Sequence, residues 1–275
     1  MISVIVAVFN GAKTLQQCID SVAGQTHPHK ELIVIDGGST DGTRQILEGN
    51  AAKLAYWVSE PDRGIQHAWN KALERARGDW ICFIGADDYL WSPEVLERLA
   101  PILEKAYPPT RVVYGRVAIM NERGGEMFRA GEDWETAGRR FTDIMSLAHP
   151  GLMHHRSLFE AHGKFDESFR IAGDYELLLR ELPAGNALFV PDIVVAGMRQ
   201  GGISTDPKGS IAMMREMRRA QVLRGYRTPG RLWRAAYARS WLRVWMWRIL
   251  GRRIAPYAFD FLRLLGGKPR YWTRQ

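Results

Sequence analysis

The chain of 275 residues contains two cysteines, Cys18 and Cys82, and no uninterrupted apolar stretch as long as a bilayer crossing requires. The shortage of cysteine excludes a disulfide scaffold, and the two thiols stand at no metal-ligand spacing. Cys82, inside the apolar run from Trp80 to Ile84, reads as a small buried hydrophobe, so a reducing compartment is expected. Met1 runs straight into Ile2-Ser3-Val4-Ile5-Val6 without a basic leader, which places the expected location in the cytoplasm. Two glycine signatures are also missing. The first apolar run is followed by Asn10-Gly11-Ala12-Lys13, which is neither a dinucleotide fingerprint nor the Gly-Lys-Ser/Thr of a phosphate-cradling loop, so redox and ATPase readings lose weight. No internal repeat and no low-complexity segment is present.

What is there is an ordinary globular composition, 46% hydrophobic and 25% charged, with a net charge of +8. The charge is unevenly placed. Residues 1–206 hold 21 Lys/Arg against 28 Asp/Glu, whereas residues 207–275 hold 17 against 2. The basicity belongs to the last quarter, and two parts are expected: a catalytic domain over 1–206 and a basic helical extension over 207–275.

Periodicity gives the fold class. Ser3 to Phe9 reads as a strand, and Thr14-Leu15-x-x-Cys18-Ile19-x-x-Val22 follows at helical spacing with Thr14 at the N-cap. The alternation continues with strands over 31–36, 55–60 and 80–86, helices over 40–48 and 66–77, and a helix opened by Ser92-Pro93-Glu94. A parallel, doubly wound, Rossmann-like α/β half is expected. Beyond Arg111 the pattern turns mixed, with strands over 111–119 and 187–198 and a helix over 174–182. From Ile211 onward two or three helices are expected, broken near Thr228-Pro229-Gly230 and at Pro256.

Ligands of open α/β sheets bind beyond the carboxyl ends of the strands. Four strands end there in polar residues: Phe9-Asn10-Gly11, Asp36-Gly37-Gly38-Ser39-Thr40-Asp41, Glu60-Pro61-Asp62-Arg63-Gly64 and Ala86-Asp87-Asp88. Adjacent carboxylates at the end of a buried strand are costly unless a cation or a sugar hydroxyl engages them, and a divalent metal with a phosphorylated ligand answers that cost. These segments, in this order, with Gly78-Asp79-Trp80 and with Ala172-Gly173-Asp174-Tyr175-Glu176-Leu177 further on, resemble the family 2 glycosyltransferases, inverting enzymes of the GT-A fold that use nucleotide-diphosphate sugars. The resemblance covers residues 1 to about 205.

The resemblance implies that Asp36 holds the nucleotide base with Phe9 and Asn10 beside it, that Arg63 lies near base or phosphates, and that Asp87 meets the ribose. It implies Asp88 as ligand of Mn²⁺ or Mg²⁺, and Asp174 as the general base for the acceptor hydroxyl. Gly37 departs from the family, in which many members carry a second Asp. The residues themselves also admit plainer roles. Asp41 reads as a helix-capping residue, Arg63 as a solvated charge after Pro61, and His149 as a loop histidine or an acceptor-side or metal-side contact. Residues 199–204 read as a loop over the diphosphate or a plain surface loop.

Five of the ten tryptophans, Trp233, Trp241, Trp245, Trp247 and Trp272, fall in the basic extension. Trp favours the membrane interface and Arg stems snorkel, so this segment is expected to lie on an anionic leaflet, making the protein peripheral on the inner face of the cell membrane. The arginines from Arg231 to Arg248 scatter around the helix axis, and a helical cap or dimer contact is the alternative. The expected partners are a nucleotide-sugar donor, UDP-linked, and a lipid-linked or glycan acceptor in surface-polysaccharide synthesis, with no nucleic acid. The rival readings are a nucleotidyltransferase, whose N-terminal glycine-arginine signature is missing, and a non-catalytic membrane or nucleic-acid binder, which leaves the ordered carboxylates unexplained.

Overall fold

A computed structural model describes residues 1–121, 123–200, 207–267 and 270–274. Apolar residues alternate along the first strands, and each parity faces a different core. Ile5, Ile33, Ile35, Ile81 and Phe83 point into one apolar cluster, and Val4, Val6, Leu32, Val34, Cys82 and Ile84 into the other. A sheet buried on both faces needs helices on both, which is what the intervening amphipathic segments provide.

The parallel half comprises β1 (Ile2–Val8), α1 (Leu15–Ala23), β2 (Lys30–Asp36), α2 (Thr43–Gly49), β3 (Tyr56–Ser59), α3 (Ile65–Leu73) and β4 (Trp80–Gly85). Thr14 occupies the N-cap of α1 as expected, but its side chain makes no capping bond. The helix expected from Thr40 begins at Thr43, because the Asp41 carboxylate turns the chain back by accepting from Thr43 N at 3.1 Å and from Ala12 N at 3.0 Å. The mixed half comprises β5 (Tyr89–Leu90), α4 (Val95–Ala106), β6 (Val112–Met120), β7 (Glu126–Ala130), α5 (Trp134–Phe141), β8 (Leu152–His155), α6 (Arg156–His162), α7 (Gly173–Glu181) and β9 (Ala187–Arg199). The sheet runs β3-β2-β1-β4-β8-β6-β9-β5, with β7 paired to β6. Contacts from β3 through β4 are parallel, β8 joins β4 and β6 antiparallel, and β6 and β9 run parallel.

The C-terminal part is α8 (Pro207–Leu223) and α9 (Arg231–Leu265). The break expected at Pro256 falls instead at Gly251, whose φ of 70° is a left-handed conformation that glycine adopts without steric cost. Pro256 stays inside the second helical segment, where the hydrogen-bond ladder it interrupts has barely begun. The boundary expected between residues 206 and 207 runs through a shared core. Met214, Met217 and Ala220 of α8 and Trp233 of α9 are buried in the cluster that contains Phe83 and Tyr175.

Candidate active site

Strand register builds the site. Val8 pairs with Asp36, Asp36 with Ser59, and Ala7 with Gly85, so the residues that follow β1, β2, β3 and β4 emerge along one sheet edge. Phe9 is 68% exposed there. Asn10 takes a positive φ of 53°, held by Ser39 and Thr40: its N–H donates to Ser39 Oγ at 2.6 Å, and its Oδ1 accepts from Thr40 N at 3.0 Å. Asp36 is buried, and its carboxylate accepts from the Ser39 hydroxyl, from Ser39 N at 3.1 Å and from Ser59 Oγ at 2.6 Å. The Asp62 carboxylate stands against Gly37: a Cβ added at residue 37 would lie 2.7 Å from Asp62 Oδ2.

Asp87 and Asp88 follow β4. Asp88 is 5% exposed, accepting from Gly85 N at 3.0 Å and from Arg199 N at 3.3 Å. Burial and the neighbouring Asp87 charge push the Asp88 carboxyl well above the usual range, the two amide bonds and Arg199 opposing them. Arg199 also donates from Nη1 to the Asp87 carbonyl at 3.1 Å and lies over the Tyr89 ring, 5.6 Å from its centroid. No cluster of three or more His, Cys, Asp or Glu suited to a metal occurs among the described residues. The donor set still fits Mg²⁺ or Mn²⁺, which proteins commonly hold through one or two carboxylates, with substrate phosphates and water completing the shell.

A second wall lies beyond β3. A cavity of about 610 Å³ opens between Asp62–Ile65 with Trp69 on one side and Arg170–Ile171 on the other. Arg63 projects here and pairs with Glu167 at 2.5 Å; Glu167 also accepts from Asn70 Nδ2 at 3.0 Å. Asp174 follows this loop in the first turn of α7. Burial raises its carboxyl to about 6; the Tyr175 N–H, donating at 2.7 Å, opposes the rise and the Glu216 carboxylate adds to it. Glu216 accepts from the N–H groups of Arg170, Ile171 and Ala172 at 3.0, 2.8 and 2.9 Å, fixing the loop that leads into α7. Gly173 is packed so closely that a Cβ there would lie 2.6 Å from the Gln66 side chain. Gln66 is 1% exposed, and neither of its amide atoms has a partner among the described residues.

The structure therefore gathers Phe9, Asn10 and Asp36 into one group at the β1–β2 ends and Asp87 with Asp88 into another at the end of β4. Arg63 and Asp174 belong to the flanking cavity and its adjoining helix. His149 packs among aromatic rings, its centroid 5.0 Å from Trp69, 5.8 Å from Phe83 and 5.5 Å from His154. Burial lowers it to about 4, a neutral imidazole at physiological pH. Of the loop expected over 199–204, residues 201–204 lie outside the described residues. The sequence pattern assigned no role to Arg199 as a clamp on the carboxylate pair, nor to Glu167, Gln66 and Glu216, and it marked Asp62 only as part of a polar strand end. The closing position of Arg199 at the end of a long strand was the one signal available for it.

The glycosyl transferase family 2 model matches residues 3–161. A PGL/p-HBAD biosynthesis glycosyltransferase from Mycobacterium tuberculosis is 30% identical over 209 residues, 74% of this chain and 79% of that protein. An uncharacterized glycosyltransferase from Rickettsia typhi is 27% identical over 201 residues, 71% of this chain and 63% of its own. Among solved structures, S. aureus TarS 1–349 in complex with UDP-GlcNAc matches with a TM-score of 0.62 at 21% identity, over 80% of this chain and 66% of that one. The mannosyltransferase PcManGT from Pyrobaculum calidifontis, in complex with GDP-Man and Mn²⁺, matches at 0.59 and 20% identity, over 94% and 74%. Fold and site together define a sugar-transferring enzyme built on the α/β GT-A architecture. The chain belongs to glycosyl transferase family 2.

Proposed function

We propose that this enzyme transfers a sugar from a UDP-sugar to the hydroxyl of a lipid-linked acceptor, with inversion, at a membrane surface where surface polysaccharide is assembled. The observation that carries the reading is Asp174, a carboxyl that burial holds near 6, set in the first turn of α7 three residues after Ile171, which lines the 610 Å³ cavity. A group with that pKa is ionised at neutral pH yet basic enough to take a proton.

In this reading Asp36, Phe9 and Asn10 receive the base, Asp87 the ribose, and Arg63 the base or phosphates. Asp174 accepts the proton of the acceptor O–H as that oxygen bonds to the anomeric carbon. The bond from that carbon to the diphosphate oxygen breaks, and the nucleoside diphosphate leaves with the electron pair from the opposite face, which inverts the configuration. Asp88, with Asp87 beside it, would hold Mn²⁺ or Mg²⁺, which when bound supplies charge neutralisation for the leaving diphosphate. The UDP-sugar donor is supported by the TarS complex with UDP-GlcNAc, and the metal by the Mn²⁺ complex of PcManGT.

The membrane reading is supported by α9. Trp241, Trp245 and Ile249 are exposed at four-residue spacing, and beyond Gly251 Ile254, Tyr257, Phe261 and Leu265 are exposed at spacings of three and four. An exposed apolar stripe among arginines suits the boundary of an anionic leaflet. No helix among the described residues is long and apolar enough to cross a membrane.

Release of nucleoside diphosphate tests the reading. UDP-, GDP- and dTDP-sugars are offered with Mn²⁺ and a lipid extract as acceptor source; UDP release is expected, and Asp88→Ala should abolish its dependence on Mn²⁺. Release from none of the three donors, or equal Mn²⁺ dependence in the variant, would overturn it.

A further inference from the structure

A cavity of about 660 Å³ lies between the C-terminal helices and Phe128 of β7, and it shares no lining residue with the cavity beside Arg63. Arg239, Arg243 and Met246 line it from α9 ahead of the Gly251 break, and Phe259 and Leu262 from the segment after it. The remaining wall includes Trp272, and it is firmly built. Asp260, 3% exposed, accepts from the N–H groups of Tyr271, Trp272 and Thr273 at 2.7, 2.9 and 2.8 Å and from the Thr273 hydroxyl at 2.6 Å. That carboxylate is thereby committed to backbone donors.

Arg243 stands beside the charge of Arg239, and its hydrogen-bond partners are neutral. Arg243 donates to Ser240 Oγ at 3.0 Å and to the Arg239 carbonyl at 3.4 Å, and its guanidinium lies 5.6 Å from the centroid of Trp272. Neither Arg239 nor Arg243 forms an ion pair among the described residues. Burial, reinforced by the Arg239 charge, lowers the Arg243 pKa, as expected of a partly buried cation without a counter-ion. Arginines lining a cavity together with Met246, Phe259 and Leu262 are complementary to a molecule with an anionic head and a hydrocarbon chain.

We propose that this cavity binds one phosphate-bearing lipid, its phosphate between Arg239 and Arg243 and the first part of its chain against Met246, Phe259 and Leu262. The inference rests on the reading of α9 as the membrane-facing element, and it adds a discrete site to a diffuse charged surface. The site also connects to the catalytic edge. The Tyr271 hydroxyl accepts from Gln200, the neighbour of Arg199, whose N–H holds Asp88. One hydrogen bond therefore joins the cavity wall to the strand end that carries the donor-side carboxylates.

The test uses the full chain and dihexanoyl phosphatidic acid below its micellar concentration, followed by calorimetric titration, with dihexanoyl phosphatidylcholine and inorganic phosphate as comparators. Saturable binding of one phosphatidic acid per chain is expected, at least tenfold tighter than either comparator. Arg243→Gln should weaken it about tenfold, Met246→Glu should abolish it by placing a carboxylate in the cavity, and Arg234→Gln, an exposed arginine of α9 outside the cavity, should leave it unchanged. Equal weakening by Arg243→Gln and Arg234→Gln, or inorganic phosphate binding as tightly as the lipid, would overturn the site. Sedimentation with vesicles of phosphatidylcholine and phosphatidylglycerol separates the two readings. A chain that sediments without saturable lipid binding loses the cavity site and keeps the membrane reading; one that binds the short lipid but ignores vesicles loses the membrane reading alone.

Discussion

Asp174 is an acid whose burial would leave it a poor base if its surroundings pushed further, and the charge that contributes to its rise comes from Glu216, not from the donor-side pair. A raised pKa means that the base is protonated, and idle, below its titration. Turnover at saturating substrate should therefore rise with pH through about 6 and level above it. Glu216→Gln removes a negative neighbour, so the acid limb should move to lower pH; a pH–rate profile with an unmoved limb would separate Glu216 from Asp174 electrostatically. Gly37 offers a second test at this scale. A Cβ there meets Asp62 Oδ2 at 2.7 Å, so Gly37→Ala should cost about 1–3 kcal/mol in urea unfolding. Most of that loss should return in Gly37→Ala/Asp62→Ala, where the obstructing carboxylate is gone. Asp62 stands against Gly37 from twenty-five positions later in the chain, a contact that only folding brings together.

Legibility at the scale of elements followed locality. The strands and helices of the parallel half were readable because each carries its own period, and the polar strand ends were readable because consecutive parallel strands align their carboxyl ends. The four residues of β8, Leu152–His155, gave no such signal; they become a strand by fitting between β4 and β6, far away in sequence. The role of Glu216 was hidden for the same reason, since its partners are the amides of residues 170–172. The extension looked separable because its charge differs from the rest, yet charge describes the surface, and α8 is joined through its buried face. Met214 and Met217 each contribute about 1.5–3 kcal/mol by burial, and the Glu216 amide bonds add to that. A chain ending at residue 206 should accordingly unfold or aggregate, whereas one ending at Ser240 keeps α8, Glu216 and Trp233 and should show a cooperative thermal transition by circular dichroism. A stable, monomeric 1–206 fragment would contradict this account of the core.

At the scale of the molecule, the two acids of residues 207–275 are both spent on backbone amides, Glu216 at the entrance to α7 and Asp260 at the C-terminal turn. The arginines of α9 are left without these acids as partners, while the carboxylates of the catalytic edge are set by the sheet. The central claim is that Asp174 is the base of a glycosyl transfer and not a capping acid of α7. Its most direct test is to measure UDP-sugar affinity and UDP release on the same sample of Asp174→Asn. The account predicts nearly unchanged affinity with turnover lowered by about two to four orders of magnitude, the scale of a positioned base. Normal turnover, or loss of donor binding in step with loss of fold, would contradict it.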